Sequence, residues 1–190
     1  MLIHRAVSDL LDAFASPDPT PGGGSAAALA GAIGASLLAM VAGMPKTKSG
    51  SPEAREALDA ARGRLLKARA TLAGLVDRDS AAYDLVVAAY GQPKGTDAEK
   101  AARREAIQHA MRVATDVPLE TATVCAGALR DAEAVETHGN PNASSDVGTG
   151  IALLGAALRG ALLNVDVNIG SLTDPTVVAE LQHRRTSLMQ

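Results

Sequence analysis

The chain has 190 residues, 47% of them hydrophobic, with a formal net charge of −3, no Trp, two Tyr and one Phe. That length suits one domain, residues 1–190, whose core must be built from Ala, Leu, Val and Ile. A chain with neither a basic field for phosphate backbones nor aromatic platforms for bases is not expected to bind nucleic acid.

Periodicity reads helical along almost the whole chain, and no stretch alternates apolar and polar β-branched residues convincingly. The first residues, MLIHRAVSDLLDAF, carry charges throughout and lack the order of a signal peptide. They predict a short helix over about residues 2–15, ended by the breaker SPDPTPGGG. A second helix is predicted from Ser25 to Gly43, stopping at Pro45. The loop MPKTKSGSP follows, with Pro52 placed to open a long third helix that runs to Tyr90. GQPKGTD breaks the chain, and Thr96 or Asp97 caps a helix through Asp116. Pro118 is expected to kink that helix or to start a new segment reaching His138. After HGNPNASSD, a long helix spans Ser145 to Asn168, and a short terminal helix carries Arg184 and Arg185 near its C-terminal end. The expectation is an all-α bundle of about six helices, two or three of them long.

Within the second helix, Ser25 to Ala42 are eighteen uncharged residues, which is the lower limit for a membrane span. Most of them are Ala, Gly and Ser, so a buried helix with close neighbours is expected instead of insertion. No Gly-Lys-Ser/Thr follows the glycines, which removes a P-loop. Gly22, Gly23, Gly24 and Ser25 could still offer backbone N–H groups to an anion or carbonyl oxygen at the positive end of the helix dipole. A Ser-capped helix after a flexible turn accounts for the same residues.

The third helix places Leu58, Leu65, Leu72 and Val86 at multiples of seven, with Ala61, Ala68, Leu75, Ala82 and Ala89 three residues on. The seam position between Leu72 and Val86 is Asp79, with Leu75, Val76, Ala82 and Tyr83 one turn away. A carboxylate in such surroundings needs compensation, either a structural ion pair or a cleft where it takes a proton or faces a cation. Asp77 and Asp84 fall off the seam and are expected in solvent. In the last long helix Asn164 and Asn168 stand four apart on one face, suited to interhelical hydrogen bonds or to reading a heterocycle. Asp146 falls at that helix's start, where capping or the dipole explains it. The four His show no ligand spacing, and the lone Cys125 excludes an internal disulfide and a Cys-based cluster, so no metal site is expected. A reducing cytoplasm is the expected compartment.

DPTPGGGSAAALAGAIGASLLAMVAG, DRDSAAYDLVVAAYGQPKGTDAEKAAR, ATDVPLETA and GNPNASSDVGTGIALLGAALRGALLNVDVNIG occur in that order over nearly the whole chain. Together they resemble the cyclodeaminase/cyclohydrolase family of folate enzymes. The resemblance is closest to single-domain members that hydrolyse 5,10-methenyltetrahydrofolate to 10-formyltetrahydrofolate. It implies an all-α homodimer that binds folate near the subunit interface, and a reaction that requires no metal or redox cofactor; no membrane association is expected, on the weak hydropathy of the second helix. It also implies Asp79 as general base, with Asp146 as a second candidate acid. Pro21, Gly22, Gly23, Gly24, Ser25, Lys46, Tyr83, Asn164 and Asn168 are the expected substrate contacts. The alternatives are a formimidoyltetrahydrofolate cyclodeaminase releasing ammonia, or a non-catalytic helical folate-binding protein.

Overall fold

The computed structural model describes residues 1–189. Six α-helices carry the fold: α1 (Val7–Ala15), α2 (Gly23–Ala42), α3 (Pro52–Tyr90), α4 (Asp97–His138), α5 (Ser144–Ile169) and α6 (Pro175–Ser187). No strand occurs among the described residues. Helices α2, α3, α4 and α5 form a ring in which each packs on the next, with a lesser contact across the α2–α4 diagonal. Gly23 lies beside Asn164 and Gly24 beside Asp79, so α2 runs antiparallel to both α3 and α5. At about 1.5 Å per residue α3 and α4 are near 60 Å long, twice the length of α2, and project beyond it.

Local chemistry sets the helix ends. Ser51 accepts the Ala54 N–H at the start of α3, with Pro52 as the first helical residue. Thr96 is the cap of α4 and forms a reciprocal capping box with Glu99. Arg55 closes the C-terminal end of α2 by donating to the carbonyls of Met44, at 2.7 Å, and Ala42. Asp174 caps α6, whose Arg112–Glu180 and Arg185–Asp166 pairs tie it to α4 and α5.

The α3 seam is buried along its length, with Leu58, Leu65, Leu72 and Leu75 fully enclosed. Small residues permit the tight α2–α5 crossing. A Cβ on Gly34 would stand 2.7 Å from the Gly150 carbonyl oxygen, and one on Gly150 2.9 Å from Leu38 Cγ. Both α2 and the segment Pro141–Ile169 are long and apolar enough to cross a membrane. In this fold α2 is instead packed between α3 and α5, with Ala35, Leu38 and Ala42 fully buried.

Several expectations are corrected. The first predicted helix is a 3-10 turn, Leu2–His4, followed by the separate α1. Asp77 is not a solvated side chain, because its carboxylate accepts the N–H groups of Leu2 and Ile3 and holds that turn on α3. Ser25 is not the cap of α2. Gly22 is the cap residue, Ser25 lies in the first turn, and its hydroxyl points into the bundle. Asp146 does not cap α5, which follows a 3-10 turn at Pro141–Ala143 and has Ala143 at the cap position. Pro118 neither ends α4 nor opens a new segment, since the helix is continuous from Asp97 to His138. Proline removes one donor, and Asn168 of α5 supplies another to the Ala114 carbonyl.

Candidate active site

The N-terminal tip of α2 opens into a cavity of about 270 Å³ between α3, α4 and α5. Gly22, Gly23 and Gly24 form one wall, Asp79 and Tyr83 project from α3, and Asn164 and Asn168 project from α5. Seven of the sequence-predicted residues therefore line one cavity. Ser25 lies behind it, completely buried against Asp79. Pro21 borders an adjoining depression lined by Leu2, Asp18 and Ser80.

Asp79 is the centre of this arrangement. Its carboxylate packs so closely on the Gly24 backbone that a Cβ there would fall 2.6 Å from Asp79 Cγ. Burial pushes its pKa above the ordinary carboxylate value, opposed in part by hydrogen bonds from the Ser25 hydroxyl and backbone. No Lys, Arg or His among the described residues pairs with it, and the adjacent Arg78 turns outward to Glu120 at 2.8 Å. The structural ion pair open on sequence grounds is thus absent among the described residues.

Ser25 Oγ lies 2.9 Å from Asp79 Oδ2, 2.9 Å from the Val76 carbonyl oxygen and 3.2 Å from Ser80 Oγ. A hydroxyl has one proton to donate. It can serve Asp79 when the carboxylate is ionised, and turn to Val76 when Asp79 itself carries a proton. The carboxylate therefore keeps a partner in both protonation states, as a group that accepts and returns a proton requires.

The two asparagines have their donors committed. Asn164 Nδ2 donates to the Gly160 carbonyl at 2.9 Å within α5, and Asn168 Nδ2 donates to the Ala114 carbonyl of α4 at 2.7 Å. Both interhelical bonding and a place in the cleft, the two alternatives for this face, are realised at Asn168.

Lys46 and Asp146 stand apart from this cavity within the chain. Lys46 follows the far end of α2, in a depression with Thr47, Ser51 and Arg55. Asp146 is in the first turn of α5, about 27 Å along the helix from Asn164. Pro19, Thr20, Val86, Met111 and Ala114 complete the cavity lining beyond the expected contacts. Val86, expected only as a core residue of the seam, stands one heptad beyond Asp79 on the same face. Met111 and Ala114 lie on α4, whose facing side depends on the ring packing. Among the described residues no three His, Cys, Asp or Glu side chains form a group that could hold a metal ion.

Fold and cavity together define a class, an all-α bundle with a desolvated carboxylate at a helix-tip cleft. Residues 6–187 match the family model for formiminotransferase-cyclodeaminase. The chain is 42% identical over 177 residues to the methenyltetrahydrofolate cyclohydrolase of Methylorubrum extorquens, covering 93% of this chain and 85% of that protein. It is 32% identical to the formimidoyltransferase-cyclodeaminase of Sus scrofa, covering 100% of this chain but only 35% of that longer protein. The crystal structure of formiminotetrahydrofolate cyclodeaminase from Thermotoga maritima shares the fold, with a TM-score of 0.87 at 24% identity over 100% of this chain and 90% of that one. The chain belongs to the formiminotransferase-cyclodeaminase family.

Proposed function

We propose that the chain is an enzyme that hydrolyses 5,10-methenyltetrahydrofolate to 10-formyltetrahydrofolate, the activity for which its 42%-identical relative is named. The observation that carries this reading is Asp79, a desolvated carboxylate with hydroxyl and backbone donors and no cationic partner among the described residues. The methenyl bridge is an amidinium-like cation, the complement such a carboxylate lacks.

In the proposed reaction water attacks the bridging carbon, a C–O bond forms, and Asp79 takes the water proton. That gives a neutral carbinol from a cationic substrate. The C–N5 bond then breaks as Asp79 returns its proton to N5. The remaining hydroxyl becomes the formyl carbonyl, and its proton leaves to solvent. Ser25 follows the charge on Asp79 through both steps, and the raised pKa of Asp79 makes it a better base than an exposed carboxylate. Gly22, Gly23 and Gly24, Tyr83, Asn164 and Asn168 surround the ring system. The steps require no metal or redox cofactor.

The second reading, a cyclodeaminase, is favoured by the similarity to the animal enzymes. Loss of the methenyl absorbance at a rate above spontaneous hydrolysis, with no ammonia released from formiminotetrahydrofolate, is the expected result. Ammonia release would establish the cyclodeaminase, and neither activity would leave a binding protein. A homodimer is part of the proposal, supported by the exposed apolar side chains Leu163 (66%) and Val167 (73%) on α5 and Ile33 and Met40 on α2. Sedimentation as a monomer at micromolar concentration would remove it. A cytoplasmic location is supported by the single buried thiol, Cys125.

A further inference from the structure

Pro118 lies in the middle of α4, buried, with helix on both sides. In an unbroken α-helix the N–H of residue 118 would donate to the carbonyl of Ala114, and proline has no N–H. The Ala114 oxygen is therefore left without its intrahelical donor. Asn168 Nδ2 fills that vacancy from α5 at 2.7 Å. An amide end facing a carbonyl must be its NH2 end, since two oxygens would repel. This fixes which way the Asn168 amide is turned. Its Oδ1 accepts no hydrogen bond among the described residues, and both Ala114 and Asn168 line the cavity.

We infer that Pro118 is a positioning residue for ligand recognition: by vacating the Ala114 carbonyl it orients Asn168 so that Oδ1 accepts an N–H of the bound heterocycle. The inference rests on the proposed folate site and adds a specificity rule to it. At Asn168 the site selects a ring edge that donates, and rejects one that presents a carbonyl or an unprotonated nitrogen.

Pro118→Ala restores the helical donor. Proline is the least favourable residue of a helix interior, so the variant is expected to fold with an unchanged or raised Tm. Its KM for 5,10-methenyltetrahydrofolate is expected to rise roughly three- to tenfold, the span of one net hydrogen bond, with kcat within about twofold of the parent. Asn168→Ala is expected to raise KM similarly, and the double variant no further than either single one. An unchanged KM in Pro118→Ala, or additive effects in the double variant, would overturn the inference. The side-chain amide of Asn168, identified in a 15N NMR spectrum by its loss in Asn168→Ala, supplies a readout independent of turnover. Its hydrogen exchange is expected to accelerate in Pro118→Ala, and an unmoved exchange rate overturns the positioning role. If the parent protein shows no turnover while this acceleration is seen, the proposed reaction fails and the Pro118–Asn168 link stands.

Discussion

Two glycines of α2, ten residues apart, face different surroundings. Gly24, at the tip, has the Asp79 carboxylate where a side chain would be, whereas Gly34, in the middle, has the backbone of α5 at Gly150 and Leu154. Both positions exclude a Cβ. At the tip the space goes to a titratable group bordering a cavity, and a substitution there would disturb a side chain that can rotate away. In the middle the space goes to a helix backbone that cannot move without separating α2 from α5. The same residue type thus serves chemistry at one end of the helix and packing at its centre.

Asp79→Asn tests the tip most severely. Turnover is expected to fall roughly 10²–10⁴-fold, the usual contribution of a positioned base. Its stability should move the other way. Because burial raises the Asp79 pKa in the folded protein, the stability associated with its protonated form is present at low pH and lost as pH rises through the folded value. At neutral pH the variant's Tm is therefore expected to equal or exceed that of the parent. Turnover within threefold of the parent would make Asp79 structural.

Gly24→Ala should come next, with kcat/KM falling roughly 10²-fold as the carboxylate is displaced, and little change in urea unfolding. Retained activity would mean that Asp79 works from another position. Gly34→Ala should reverse that pattern, losing about 1–3 kcal/mol of stability by urea titration while the folded fraction keeps its turnover. A variant that unfolds normally but turns over poorly would break the division between tip and centre. The smallest effect is expected from Ser25→Ala. The Ser25 hydroxyl lowers the Asp79 pKa, so without it the acid limb of the kcat/KM profile should move to higher pH. A limb that stays in place would show that Ser25 does not follow the charge on Asp79.

The long helices were legible because their signals are local. Pro52 and Tyr90 bound α3 as its sequence predicts, and the heptad arithmetic isolated Asp79 on an otherwise apolar seam. The gathering of Gly22, Gly23, Gly24, Tyr83, Asn164 and Asn168 around Asp79 follows from the antiparallel ring, which no single segment specifies. Of the two readings of Pro118, the new segment fails because α4 is continuous. Proline's cost is local and signals a kink or a helix boundary, whereas its compensation comes from Asn168, fifty residues later in the chain. Ser25 was legible as a helix-start residue, yet the first turn of α2 is buried, so its hydroxyl is claimed by α3. Asp77 escaped because the partner it anchors is backbone, which leaves no trace in residue type. Lys46 and Asp146, grouped with the cleft by resemblance, lie away from it within one chain, at the opposite ends of α2 and α5.

Cys125 sits where α2, α3, α4 and α5 converge, and a Cβ on Gly31 would come within 2.9 Å of its sulfur. Burial pushes its pKa up to about 12, and it is fully enclosed. Only a thiolate reached by solvent reacts with an alkylating reagent. The protein therefore carries a single-site clock for its own opening. The labelling rate of Cys125 counts how often the four helices part, and comparing that rate with and without folate would report whether occupying the tip of α2 quiets motion at its centre.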